Sequence, residues 1–289
     1  MIKPLSAGAW TQKKKGYYLK IASGYVKTST EFDHLGNEKD ILEDFNSTFQ
    51  NVSYEEFSVK AYFEYGLFSK LTLVGDLPLK VATTNRTEVS NYFDTGRRDT
   101  SYTNTGLGDF KIQFRYGILD GPLVFSLQPG VKIPLYKNDD QNEAPQLGTG
   151  HVDLDAGLLL GASFYPSPVY FSSEGGYRFR DGPLHDEVYL NAEIGLSFVK
   201  SFFKLEFRGV KNTTTPPDIY GGPIQLPLPG GGGAVPLRLF GDQDYIKLVG
   251  EAMYRFGNNW GISGEIIHTL AGKNIITGTT FQVGFVLER

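Results

Sequence analysis

In the stretch HVDLDAGLLLGASFY, residues 151–165, an imidazole and two carboxylates occupy alternate positions: His151, Asp153 and Asp155. Such groups hold divalent cations or pass protons, so their spacing decides what they can do. In an extended chain, alternate residues share a face but stand ~7 Å apart. That is too far for a compact ligand set without added loop ligands, and no metal is expected. His34, His185 and His268 also lie in loops or near strand ends. A loop-side hydrolase would need a nucleophile, a base and an orienting group within hydrogen-bond reach. No motif sets such groups together, so neither catalytic residues nor a cofactor are expected.

Charges recur at alternate positions along the whole chain. Lys60 and Glu64 share one face of their segment, as do Asp76 and Lys80, and Asp109, Lys111 and Arg115. Lys132, then Asp153 and Asp155, then Glu174 and Arg178, follow the same rule. So do Glu187 and Glu193, Lys204, Glu206 and Arg208, Lys247, Glu251 and Arg255, and Glu265. Both signs are present in near balance, which predicts cross-strand pairing rather than the single-sign ring of an ion-selective pore.

Segments that carry charge on every second residue carry apolar groups on the others. Val152, Leu154, Ala156, Leu158, Leu160, Ala162 and Phe164 form the second row of the opening stretch. Phe57, Val59, Ala61, Phe63 and Tyr65 repeat the pattern, as do Phe110, Ile112, Phe114, Tyr116 and Ile118. Strict alternation over this length predicts strands with one apolar face. About twelve segments qualify: 16–27, 53–65, 70–82, 107–118, 123–136, 151–165, 169–180, 187–199, 202–211, 245–256, 260–270 and 275–287. A miscounted hairpin would make ten or fourteen.

The links between segments alternate between short turns (66–69, 119–122, 166–168, 200–201, 257–259) and connections that are mostly longer (28–52, 83–106, 137–150, 181–186, 212–244, 271–274). An up-and-down antiparallel barrel with one tight rim and one elaborate rim produces this arrangement. Twelve strands enclose more space than side chains fill, and segments of this length suit a bilayer crossing at a tilt. The reading is therefore an all-β transmembrane barrel, apolar row to lipid and polar row to lumen. Aromatics near strand ends suggest two interfacial bands. Tyr65, Phe68, Tyr116, Phe164, Phe198, Phe203, Phe256 and Trp260 mark the short-turn side, and Tyr25, Tyr54, Tyr136, Phe179 and Tyr245 the other.

Composition narrows the class. The absence of Cys removes disulfides and thiolate metal sites, and 28 basic against 32 acidic residues argues against nucleic-acid binding. No apolar run is long enough for a transmembrane helix. Ala7-Gly8-Ala9 has the A-x-A pattern of a signal-peptidase site. Residues 1–9 are accordingly read as a signal-proximal segment and 10–289 as one barrel domain. The few residues before position 16 leave no room for a plug, so passive diffusion is expected.

Connection 212–244 contains Pro216-Pro217 and Gly230–Gly233, yet is rich in apolar groups. Tyr220, Ile224, Leu226, Leu228, Leu237 and Phe240 make it too apolar for a solvated tether, and it is expected to fold over the mouth as a gate or entry site.

The segments GLGDFKIQFRYGIL (106–119), GVKIPLY (130–136), GTGHVDLDAGLLLGASF (148–164) and EYGLFSKLTLVGDLPLKV (64–81), with the opening GAWTQKKKGYYLK (8–20), carry a further signal. They resemble outer-membrane barrels of the meta-pathway phenol-degradation family. That resemblance implies an outer-membrane channel passing small, often hydrophobic or aromatic, solutes. Its surroundings would be the lipid bilayer, with lipopolysaccharide in the outer leaflet, and the barrel-insertion machinery. Both termini would be periplasmic. Such barrels commonly end in an aromatic residue, whereas this chain ends FQVGFVLER, with Glu288-Arg289 after the alternating row. The alternative function is a structural barrel with a closed lumen that docks a surface protein through its long loops.

Overall fold

The computed structural model describes residues 8–45, 47–89, 96–136, 144–215, 241–257 and 259–289. Its elements are, in order, β1 (Tyr17–Thr28), β2 (Thr30–Phe32), β3 (Glu38–Asp40), a single 3₁₀ turn (Glu43–Phe45), β4 (Phe49–Phe68) and β5 (Leu71–Val89). There follow β6 (Arg97–Leu107), β7 (Asp109–Leu119), β8 (Leu123–Pro134), β9 (Asp153–Ser163), β10 (Val169–Arg180) and β11 (Glu187–Ser197). The chain finishes with β12 (Ser201–Asn212), β13 (Asp244–Arg255), β14 (Trp260–Lys273), β15 (Ile275–Ile276) and β16 (Thr279–Glu288).

Neighbouring wall strands pair antiparallel, and the last closes on the first, with Leu19 opposite Leu287 and Ile262 opposite Phe285. One wall position is shared by two strands. β5 pairs with β7 through Leu71–Asp76 and with β6 through Leu79–Val89. The break falls at Gly108, whose N–H bonds to the carbonyl of Pro78, a residue with no ladder proton to offer. The wall therefore has twelve positions and closes on itself, while β6 ends the strand order and is paired on one side only among the described residues.

Alternation decides which side each residue meets. On β9, Leu154, Leu158 and Leu160 are about half exposed, while Asp153, Asp155 and Leu159 are buried. The same reversal of globular order runs round the barrel, with Phe57, Leu190, Phe207, Ile266 and Val283 exposed on the outer face. An apolar belt on a closed wall is a lipid-facing surface, and the barrel spans a membrane.

The connection expected over 83–106 is largely strand. β4 and β5 run 20 and 19 residues, and with β6 they raise one side of the wall beyond the belt. This extension carries little apolar alternation to read, because neither face lies in lipid there. Polar groups hold it instead: Thr83 Oγ1 meets Thr103 Oγ1 at 2.9 Å, and Thr87 donates to Asp99 at 2.7 Å. Connection 28–52 also contains structure, since β2 pairs with both β3 and β15 in a small rim sheet.

Tyr54 does not join the loop-side aromatic band. It shares parity with Lys60 and Glu64, points inward and is 2% exposed. There it packs with Ile41, Leu42, Phe49, Val52, Ala82 and Leu147 in a core beneath the long connections. The aromatics assigned to the short-turn band, Tyr65, Phe68, Tyr116, Phe164, Phe198, Phe203, Phe256 and Trp260, are exposed on the outer face.

Candidate functional site

The interior at the short-turn end is filled by the chain's own N-terminal segment. Ala9 and Trp10 are buried in a cluster with Tyr18, Val124, Leu159, Tyr170, Phe202, Met253 and Val286. Trp10 meets Tyr170 edge-on at 6.1 Å between ring centres, and Tyr170 stacks on Phe202 at 5.9 Å. Two wall glycines make the space. A Cβ on Gly161 would lie 2.7 Å from the Trp10 ring, and one on Gly195 2.3 Å from Tyr170.

Backbone groups of the segment are satisfied by wall side chains, as burial requires. Ser126 Oγ donates to the Ala9 carbonyl at 2.7 Å, and Arg115 Nη1 donates to the Trp10 carbonyl at 3.0 Å. The Gln12 N–H donates to Thr72 Oγ1 at 2.7 Å, and Lys15 N–H to the Gly66 carbonyl at 2.8 Å. Glu64 gathers three donors: Gln12 Nε2 at 2.6 Å, the Tyr62 hydroxyl at 2.6 Å and Arg115 Nη1 at 3.0 Å. The expectation of no plug is thereby corrected. A plug domain is not needed when a few extended residues can turn inward and be bonded along their length.

Above this segment lies a polar cavity of about 300 Å³. Lys20 reaches Glu251 at 2.5 Å and Glu265 at 2.8 Å. Lys204 lies 2.9 Å from Glu206, 3.3 Å from Glu193 and 3.5 Å from Glu251, while Arg208 binds Glu206 at 2.7 Å. Across the cavity Lys60 pairs with Asp76 at 2.7 Å. Glu174 accepts from Gln128 Nε2 at 3.1 Å, which ties the cavity floor to the Arg115 network.

Towards the long connections stands a second network. Asp155 is held by Lys111 and by Arg178, each at 2.7 Å, and Asp153 by Lys132 at 2.5 Å. Lys132 also lies 3.5 Å from Asp109, and Glu187 receives Arg178 at 2.8 Å and Arg180 at 2.7 Å. Arg255, at the opposite rim, bonds Glu288 at 2.7 Å and the carbonyls of Phe198 and Val199. Lys80 faces Glu56 at 3.3 Å, and the Lys247 ammonium sits 4.7 Å from the Tyr245 ring centre. Most of these charges are joined in pairs between strands.

Several participants are not singled out by the sequence reading. Lys20, Tyr18 and Tyr62 line the cavity by the same parity rule and were legible in principle. The roles of Gly8, Ala9, Trp10 and Gln12 were not, because nothing local shows that a short polar–apolar stretch folds inward.

Among the described residues, no three His, Cys, Asp or Glu side chains group to hold a metal ion. His151 stands apart, packed against Gly182, while Asp153 and Asp155 are occupied by cations. His268 Nδ1 meets Thr279 Oγ1 at 2.9 Å on an exposed site. His185 Nδ1 lies 2.5 Å from Asp242 Oδ2, a base and an orienting carboxylate. The other ring nitrogen of His185 has no hydrogen-bond partner among the described residues, and none of them supplies a nucleophile to this pair. Tyr220, Ile224, Leu226, Leu228, Leu237 and Phe240, expected at the mouth, lie outside the described residues.

No protein-family model and no curated protein matches the chain. Among solved structures, an outer membrane channel from Pseudomonas putida F1 is similar over 100% of both chains, at 10% identity and a TM-score of 0.63. The toluene transporters TbuX of Ralstonia pickettii and TodX of P. putida score 0.46 and 0.45, at 10% and 9% identity. They match 96% and 95% of this chain and 90% of each of theirs. The first likeness shows the fold: this chain is a closed antiparallel barrel built like that outer membrane channel.

Proposed function

We propose that the protein is an outer-membrane channel for passive passage of small solutes, stoppered at its short-turn end by residues 8–12. The observation that carries this reading is the manner in which the stopper is held. It makes backbone hydrogen bonds and one aromatic contact set inside a wall that closes without it. A segment held this way can leave without unpairing any strand. The cavity above it is lined by charged side chains and would offer solutes a polar route once the segment leaves. Small hydrophobic or aromatic solutes, as the family resemblance implies, would meet the rings of Tyr18 and Tyr62, which line the cavity. The first and last wall strands meet at the short-turn rim, where Tyr17 and Arg289 bond to each other, and we assign that rim to the periplasm.

The test is single-channel conductance of the detergent-folded protein in planar bilayers, beside Trp10→Ala and Gly161→Val. The wild type is expected to give small or brief steps. Both variants are expected to give larger and longer ones, Gly161→Val because its side chain takes the space of the Trp10 ring. If all three insert as folded barrels and stay silent, the channel reading fails. The alternative, a closed barrel docking a surface protein through its long connections, then takes its place.

A further inference from the structure

We infer that the lumen holds a binding site for a small organic monocarboxylate, centred on Lys247 and Arg208. This deepens the channel reading and rests on it for solute access. On the β12–β13 pair Arg208 and Lys247 stand directly opposite in register, and both side chains face inward. Directly opposed like charges repel, and a wall keeps such a pair only where something offsets it. The strand register shifts between Ile246 and Lys247, with Ile246 opposite Ala271 and Lys247 opposite Thr269. Such a bulge re-aims a side chain and is common beside functional sites.

The charges around the pair show what is missing. Arg208 is matched by Glu206 at 2.7 Å, Lys60 by Asp76 at 2.7 Å and Lys80 by Glu56 at 3.3 Å. The charges felt most strongly at Lys247 are those of Arg208, Lys80, Glu56 and Lys60, from three strands. Among the described residues Lys247 is the one lumenal cation with no carboxylate within 4.0 Å, and its ammonium lies over the Tyr245 ring instead. One uncompensated positive charge calls for one negative charge. A monocarboxylate supplies it and can share the guanidinium face of Arg208. A phosphate dianion would overshoot the balance and meet Glu206 and Glu56. Arg208 and Lys60 both line the cavity, so a carboxylate held here sits on the solute path.

The experiment is saturation-transfer NMR of acetate with the detergent-folded protein, repeated with inorganic phosphate and with Lys247→Gln and Lys247→Arg. Conductance is recorded on the same preparations. The wild type is expected to bind acetate in preference to phosphate. Lys247→Gln is expected to weaken acetate binding by about tenfold or more, roughly the effect of losing one charge-assisted contact, while Lys247→Arg keeps it. Removing a like-charge repulsion should leave the barrel as resistant to heat as before, which guards against loss through misfolding. Acetate binding that is equal in wild type and Lys247→Gln overturns the site, whatever the conductance. Lysine-dependent acetate binding in a barrel that never conducts supports the site and removes only the channel reading.

Discussion

The carboxylate of Glu64 on β4 and the guanidinium of Arg115 on β7 meet at 3.0 Å inside the barrel, with side-chain exposures of 0% and 3%. Neither charge is tolerable there alone, and together they hold the Trp10 carbonyl and the Gln12 side chain. The pair is therefore both a link between wall strands and the seat of the N-terminal segment.

Glu64→Gln tests that seat. Removing one member of a buried pair typically costs about 3–5 kcal/mol, because the other charge is left uncompensated. The variant is expected to lose heat resistance and to free the segment together. Tryptophan emission in a Trp260→Phe background reports only Trp10, and a red shift on Glu64→Gln would show the ring reaching water. An unchanged spectrum would mean that aromatic packing alone holds the segment.

Leu190 and Asn191 are adjacent on β11, yet Leu190 is 60% exposed on the lipid face while Asn191 lines the cavity. Lysine at a lipid-facing position near the midplane costs about 2–4 kcal/mol. Leu190→Lys is expected to lower unfolding stability by an amount in that range. Asn191→Lys, set between Glu174 and Arg208 in register, is expected to cost less than Leu190→Lys, its loss limited to the repulsion from Arg208, and to shift ion selectivity towards anions. Equilibrium denaturation in lipid vesicles with reversal-potential measurements separates the two effects, and equal destabilisation by both would contradict the assigned faces.

Asp186, in the connection between β10 and β11, has its carboxyl held below the usual aspartate range. The Arg180 backbone N–H, at 2.9 Å, and the Tyr177 hydroxyl, at 2.8 Å, favour its charged form. A carboxyl whose folded pKa is depressed adds stability above the unfolded value and loses it as pH falls through the folded one. The connection should stay docked at pH 5 and above and loosen below about 4, the ordinary aspartate value. The protection of the Arg180 amide against exchange, relative to its intrinsic rate at each pH, should fall over that acid range in the wild type. In Asp186→Asn it should already be low at neutral pH.

Much of this architecture is written in the chain itself. Period-two alternation marks strands such as β7, β9 and β12 without reference to any other part of the molecule, because each residue must face either lipid or lumen. The alternation of turns with mostly longer connections then sets the two rims. The same rule places Lys204, Asp155 and Arg178 on the inner wall. It fails where the wall leaves the belt: there the outer face of β5 and β6 is polar, with Thr83 against Thr103, so no apolar row announces them.

Which charges meet was decided only by the closed barrel. Lys20 and Glu251 are far apart in sequence and become partners because the barrel curves β1 and β13 round one cavity. Register sets Arg208 opposite Lys247 and leaves one ammonium with no carboxylate beside it among the described residues, an arrangement invisible in either strand alone. Residues 8–12 turn inward because burying Trp10 against Tyr170 and bonding its carbonyl to Arg115 outweigh what water offers them. That exchange exists only once strands distant in sequence have built the space they enter.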